Sequence, residues 1–249
     1  MERLAEHAKR LRELHHADDL LVLTNVWDAA SARVVAAAGH PALATASAAV
    51  TAALGHEDDD SIPPGEMFAA VERIAAAVDV PVTADLEAGY GLAPEDLVGR
   101  LLEAGAVGLN LEDTDHHGAA ELVPAQAQAE RHAAVKAAGR AAGVDVVLNA
   151  RVDTPDVDEA LERARLYVEA GADCVYPIKL GEPDAIRALT EGVDAPVNVL
   201  VRPGSPTLGE LRELGVARVS LGPGLHRVSL AAVERFLGRI EPGGPVYPI

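Results

Sequence analysis

Glu103-Ala104-Gly105-Ala106-Val107, Ala142-Gly143-Val144 and Glu169-Ala170-Gly171-Ala172-Asp173 repeat one short phrase, and Leu214-Gly215-Val216 is a looser copy of it. In each, a helix-forming stretch meets a glycine and an apolar run follows. The glycine lets the chain leave the helix in a left-handed conformation and turn into a strand. Such a unit, repeated along one chain, points to a (β/α)8 TIM barrel. Working outward, eight apolar runs without alternation read as strands covered on both faces: Leu20–Thr24, Ala42–Thr45, Val80–Asp85, Val107–Leu111, Asp145–Ala150, Asp173–Tyr176, Val197–Leu200 and Arg218–Leu221. Between them lie helix candidates at Ala29–Ala38, Gly65–Val78, Pro94–Ala104, Pro124–Ala142, Val157–Ala170, Glu182–Leu189, Leu208–Leu214 and Val228–Ile240, with an extra N-terminal helix at Glu2–His15. A doubly wound open sheet would carry a Gly-rich turn after its first strand. Here that turn reads Thr24-Asn25-Val26-Trp27-Asp28, so the barrel, one domain over residues 1–249, is the expectation.

Lys+Arg 21 against Asp+Glu 39 give a net charge of −18. That argues against nucleic acid and against an anionic membrane as partners. Most of the excess is expected to serve solubility. With 49% hydrophobic but only 3% aromatic residues, the core must be aliphatic. The lone Cys174 excludes a disulfide framework and a cysteine zinc site. Met1–His16 is charged and lacks a signal core, and no run reaches the length of a membrane span. A soluble, cytoplasmic protein is expected.

In such barrels the chemistry sits at the C-terminal ends of the strands. Asp58, Asp85 with Glu87, and Glu112 with Asp113 fall at one mouth. Like charges so close repel, and a hard divalent cation, Mg²⁺ or alternatively Mn²⁺, relieves them. Asp59, Asp60 and Asp113 read more simply as loop acids or helix caps. Arg151 follows the fifth strand and suits a substrate carboxylate or phosphate, the alternative being an ion pair with Asp153. Other strand ends deliver Asn25, Trp27 and Asp28, Thr45 and Ser47, Tyr90, Tyr176 and Lys179, Asn198 and Arg202, and Ser220. Of these, Asn25, Trp27, Thr45, Ser47, Tyr90 and Asn198 are candidate substrate contacts. Together the parts suggest a small anionic 2-oxo or 2-hydroxy acid clamped between a cation and Arg151. Gly222-Pro223-Gly224 is a weak candidate phosphate turn, because proline removes an amide.

The blocks TNVWDAASARVVAAAGHPALATASAAVTAALGHEDD (24–59), VPVTADLEAGYG (80–91), GAVGLNLEDT (105–114) and LNARVDT (148–154) resemble, in order, those of the isocitrate lyase/phosphoenolpyruvate mutase superfamily. The resemblance implies a (β/α)8 barrel, a homodimer or homotetramer, and a swapped C-terminal helix. It implies Asp85 as direct Mg²⁺ ligand, with Asp58, Glu87 and Glu112 holding its waters. Ser47, with its neighbours Ala46 and Ala48, falls where the family binds a substrate carboxylate or phosphonate, and Arg151 matches the substrate-binding arginine.

One segment departs. Isocitrate and methylisocitrate lyases carry a Lys-Lys-Cys-Gly-His loop with a cysteine acid, whereas this chain reads Thr114-Asp115-His116-His117-Gly118. Both those activities are therefore unexpected, and the mutase and hydrolase loop residues are not matched either. His116 and His117 are the proton-transfer candidates in the loop, unless they are plain exposed histidines. The leading reading is a Mg²⁺-dependent lyase that breaks a C–C bond in a small 2-oxo or 2-hydroxy dicarboxylic acid through an enolate. Phosphoenolpyruvate or phosphonopyruvate P–C chemistry is second, and a non-catalytic carboxylate-binding barrel third.

Overall fold

In the computed structural model of the chain, residues 1–116, 118 and 120–240 are described. The strands are β1 Leu21–Val26, β2 Leu43–Thr45, β3 Val82–Asp85, β4 Gly108–Glu112, β5 Val147–Val152, β6 Cys174–Pro177, β7 Asn198–Leu200 and β8 Arg218–Ser220. All pairings are parallel, in the order β6-β5-β4-β3-β2-β1-β8-β7. A parallel bridge between Val175 and Val197 brings the outer two strands together, and the sheet comes round as a (β/α)8 barrel. The four glycines of the repeated phrase, Gly105, Gly143, Gly171 and Gly215, have φ of 82°, 81°, 99° and 80°. The helix-to-strand turns are therefore built as the phrase requires.

The helices are α1 Glu2–His15, α2 Ala29–Ala37, α3 Ser47–Leu54, α4 Pro64–Ala75, α5 Pro94–Glu103, α6 Ala125–Ala141, α7 Val157–Glu169, α8 Pro183–Gly192, α9 Leu208–Glu213 and α10 Gly224–Leu237. Helix α1 lies against the N-terminal end of the barrel. It buries Ala8, Leu11, Leu14 and His15, and Arg12 donates to Asp173 at 2.7 Å. No described helix is long and apolar enough to cross a membrane.

Four expectations are corrected. Helix α3 follows β2 where no helix was expected; its Ala-rich sequence favours helix, and Gly55 at φ 85° closes it. Helix α10 starts at Gly224, not Val228, with Pro223 at its N-cap. Asp28 is a helix cap: its side chain accepts from Ser31 N–H at 2.7 Å, and the Ser31 hydroxyl accepts from Asp28 N–H. The Gly222 N–H is spent on Asn25 Oδ1 at 3.0 Å, which removes it from any phosphate turn.

Helix α10 has no buried residue. Val228, Leu230, Val233 and Leu237 on it, and Ile240 just beyond, are each about half exposed or more.

Candidate active site

The strand register stacks the lumen side chains in layers. Asp85, Asn110, Asn149 and Cys174 pair in sequence across β3 to β6. Two residues further along each strand, and so on the same face, Glu112, Arg151 and Tyr176 pair across β4 to β6.

Asp85 is gripped on both oxygens. Oδ2 accepts from the Ser47 N–H at 3.1 Å and its hydroxyl at 3.0 Å, at the N-terminus of α3, where partial positive charge favours an anion. Oδ1 accepts from Asn110 Nδ2 at 3.2 Å. Asn149 donates to Asn110 Oδ1 at 2.8 Å, which turns the Asn110 amide so that its NH₂ faces Asp85. Thr45 Oγ1 accepts from the Asp85 backbone N–H at 2.8 Å. Thr45 and the Ser47 hydroxyl therefore orient Asp85, where substrate contact was expected.

Glu87 sits in a knot of three non-glycine residues in the left-handed region: Asp60, Glu87 and Tyr90 at φ 58°, 49° and 55°. The Asp60 N–H donates to Glu87 Oε2 at 2.6 Å, the Tyr90 hydroxyl to Oε1 at 3.2 Å, and the Tyr90 N–H to Asp60 Oδ1 at 3.1 Å. Tyr90 thus supports Glu87, and Asp60, although in the loop between α3 and α4, is buried. Burial, with the charges of Asp58, Asp85 and Asp60, pushes the Glu87 carboxyl up to about 8. Asp58, on the rim, is raised by desolvation and by Asp85.

Glu112 bridges two groups. His116 Nε2 lies 2.5 Å from its Oε1, and Arg151 pairs with its Oε2. Burial raises the Glu112 carboxyl, and the contact with Glu112 raises His116. His117 lies outside the described residues. Arg151 also donates from Nε and Nη2 to Asp153 at 2.7 and 2.6 Å, the ion pair held open as the alternative. Although burial disfavours its charge, Glu112 and Asp153 hold the guanidinium cationic. Three of its five N–H donors are spent, leaving one each on Nη1 and Nη2.

Behind this layer stands a strut the sequence did not reveal. Asp113, completely buried, accepts from the Asp153 N–H at 2.9 Å, the Tyr167 hydroxyl at 2.7 Å and Arg163 at 3.2 Å. Its place after an apolar strand was the available signal. Asn25 and Asn198 are likewise internal ties. Asn25 donates to Thr45 O and accepts from the Leu221 and Gly222 N–H groups; Asn198 is buried against Ser220. Trp27 packs on His226, ring centroids 4.9 Å apart, a partner the sequence did not suggest. Ala48 is half-buried in the first turn of α3.

Among the described residues no three His, Cys, Asp or Glu side chains stand close enough to hold a metal ion by themselves. The donor set still fits one. It is all carboxylate oxygen, and its members raise one another's proton affinity, the repulsion a hard cation relieves. Mg²⁺ keeps several waters and needs only one or two carboxylates directly.

The barrel and this mouth define a class, and the comparisons agree with it. The family model for phosphoenolpyruvate phosphomutase matches residues 11–241, and the chain belongs to that family. A 2-methylisocitrate lyase from Aeropyrum pernix is 32% identical, over 94% of this chain and 80% of that one. A solved structure from Burkholderia cenocepacia J2315, provisionally named a phosphonomutase, is 43% identical with a TM-score of 0.88, over 94% of this chain and 100% of that one. A solved oxaloacetate acetylhydrolase holding its product oxalate is 26% identical with a TM-score of 0.86, over 98% and 92%.

Proposed function

We propose that the chain is a Mg²⁺-dependent lyase that cleaves a C–C bond in a small 2-oxo or 2-hydroxy dicarboxylic acid. Asp85 would hold the cation, with Asp58, Glu87 and Glu112 on its waters, and the cation would supply positive charge against a developing enolate oxygen. The two free N–H groups of Arg151 bind a substrate carboxylate. The Ala48 amide in the first turn of α3 would be a further donor to it. His116, held by Glu112 through Nε2, would take the proton of a substrate hydroxyl at its other ring nitrogen, Nδ1.

The observation that carries the reading is the His116–Glu112 contact beside Arg151. Retro-aldol cleavage of a 2-hydroxy acid must remove one proton and deliver another, and decarboxylation of a 2-oxo acid must deliver one, whereas phosphoryl migration between oxygen and carbon moves none. A panel of 2-oxo and 2-hydroxy acids, assayed with Mg²⁺ and with EDTA, should give metal-dependent pyruvate, glyoxylate or CO₂ from one member. Release from none would overturn the reading.

Likeness to a phosphonomutase favours P–C chemistry as the second reading. Phosphorus NMR of phosphoenolpyruvate and phosphonopyruvate incubations tests it, since only P–C chemistry makes or consumes a phosphonate signal. The bare apolar side chains of α10 support a further proposal, that a second copy covers them in a homodimer or homotetramer.

A further inference from the structure

We propose that Tyr176 is the group that delivers the second proton, its phenol touching a substrate held between Asp85 and Arg151. The proposal rests on the lyase reading above. The register sets Glu112, Arg151 and Tyr176 side by side on β4, β5 and β6. Residues paired between neighbouring parallel strands share a face, and the contact of Arg218 on β8 with Asn110, two residues before Glu112 on β4, fixes that face as the lumen. Tyr176 therefore stands on the other side of Arg151 from the His116–Glu112 pair.

Its ring is buried, only 4% exposed. A buried tyrosine hydroxyl ordinarily finds a partner. Tyr90 spends its hydroxyl on Glu87 and Tyr167 on Asp113. Among the described residues the Tyr176 hydroxyl has no hydrogen-bond partner, and it is not among the sealed, unsatisfied atoms. It opens on the mouth with its donor unspent. The charges within its electrostatic reach are Asp85, Arg151, Arg218 and Arg202, which include the candidate cation ligand and the candidate substrate arginine.

When the C–C bond breaks, its electron pair stays on the enolate carbon. The Tyr176 O–H bond then breaks, its proton forms the new C–H bond, and the guanidinium groups offset the phenolate charge left behind. The phenolate regains a proton from solvent water; for a 2-hydroxy acid the proton taken by His116 returns to solvent and none is consumed overall, whereas a 2-oxo acid that loses CO₂ takes up one proton from solvent. This assigns a role that the missing cysteine of the loop would otherwise leave vacant.

Tyr176→Phe in the full chain removes one oxygen and keeps the ring. With Mg²⁺ and the acid that the wild type cleaves, kcat should fall by about 10²- to 10⁴-fold while KM moves only a few-fold. Exchange of pyruvate methyl protons in D₂O, followed by NMR, should fall in parallel. Mn²⁺ affinity and the melting temperature should match the wild type, which separates lost chemistry from lost structure. Wild-type turnover and exchange in Tyr176→Phe would overturn the proposal, because a packing role survives that change. If the wild type neither cleaves a panel acid nor exchanges pyruvate, the lyase reading itself falls.

Discussion

Asp85 is held by a helix N-terminus on one oxygen and by an asparagine amide on the other. Asn110 owes its orientation to Asn149 beside it on β5, so the position of the carboxylate depends on a row of neutral amides in the same layer. Groups that orient a metal ligand typically contribute a factor of ~10–100 to affinity. Asn110→Leu should therefore weaken Mn²⁺ binding by about 10- to 100-fold in an electron paramagnetic resonance titration, and Asp85→Asn should abolish it. Equal affinity in all three proteins would remove Asp85 from the cation site. The charged members of the mouth, Asp85, Glu87, Glu112 and Arg151, were legible in the sequence because each follows an apolar run. Their neutral supports were not. Asn110 and Asn149 sit inside apolar runs, Thr45 at the end of one suggested a substrate contact, and only the register and the hydrogen bonds show that they support Asp85.

At the scale of elements, the repeated Ala-Gly phrase was the most readable feature, because it encodes a backbone conformation. Gly105 has φ 82°, and a Cβ there would lie 3.2 Å from the Ala75 Cβ, so both the conformation and the space oppose a side chain. Gly105→Ala should cost about 1–2 kcal/mol, read as a lowered melting temperature. An unchanged melt would mean that the helix-to-strand turn tolerates another conformation. Helix α3 was missed for a physical reason. Ser47–Leu54 is apolar nearly throughout and has no side-chain cap, so neither periodicity nor a capping residue marks where it starts. Yet its first turn supplies the donors to Asp85. The knot of Asp60, Glu87 and Tyr90 was unreadable for a related reason: it depends on positive φ at three residues that ordinarily avoid it.

For the whole molecule, a net charge of −18 indicated which partners to doubt and nothing about where charge gathers. The barrel collects a small share of it at one mouth and sets Arg151 and His116 against it. Two internal histidines link stability to pH. Burial lowers His15 and His132 to about 3. An unfolded histidine takes its proton near pH 6.5, so between these values the unfolded chain binds the extra proton and stability falls as the pH drops. Glu87, raised to about 8, acts with the opposite sign between its unfolded value and that one, so a comparison with a variant isolates the histidine. The stability advantage of the wild type over His132→Leu should shrink by about 1.4 kcal/mol per pH unit from 6.5 downward, measured by urea unfolding. A constant advantage would mean that His132 accepts its proton while folded. The exposed side chains of α10 lead to a second prediction at this scale. Light scattering should give a multiple of the chain mass, and Val233→Glu with Leu237→Glu should shift it toward one chain. A monomeric wild type would remove the proposed assembly.

On the proposed function, one mouth holds a small dianion between a divalent cation and Arg151. Calorimetric titration of oxalate tests it most directly, using wild type and Arg151→Met, each with Mg²⁺ and with EDTA. The wild type should bind with Mg²⁺, with a large loss on removing either the cation or the guanidinium. Oxalate affinity that is the same in EDTA as in Mg²⁺ would contradict it.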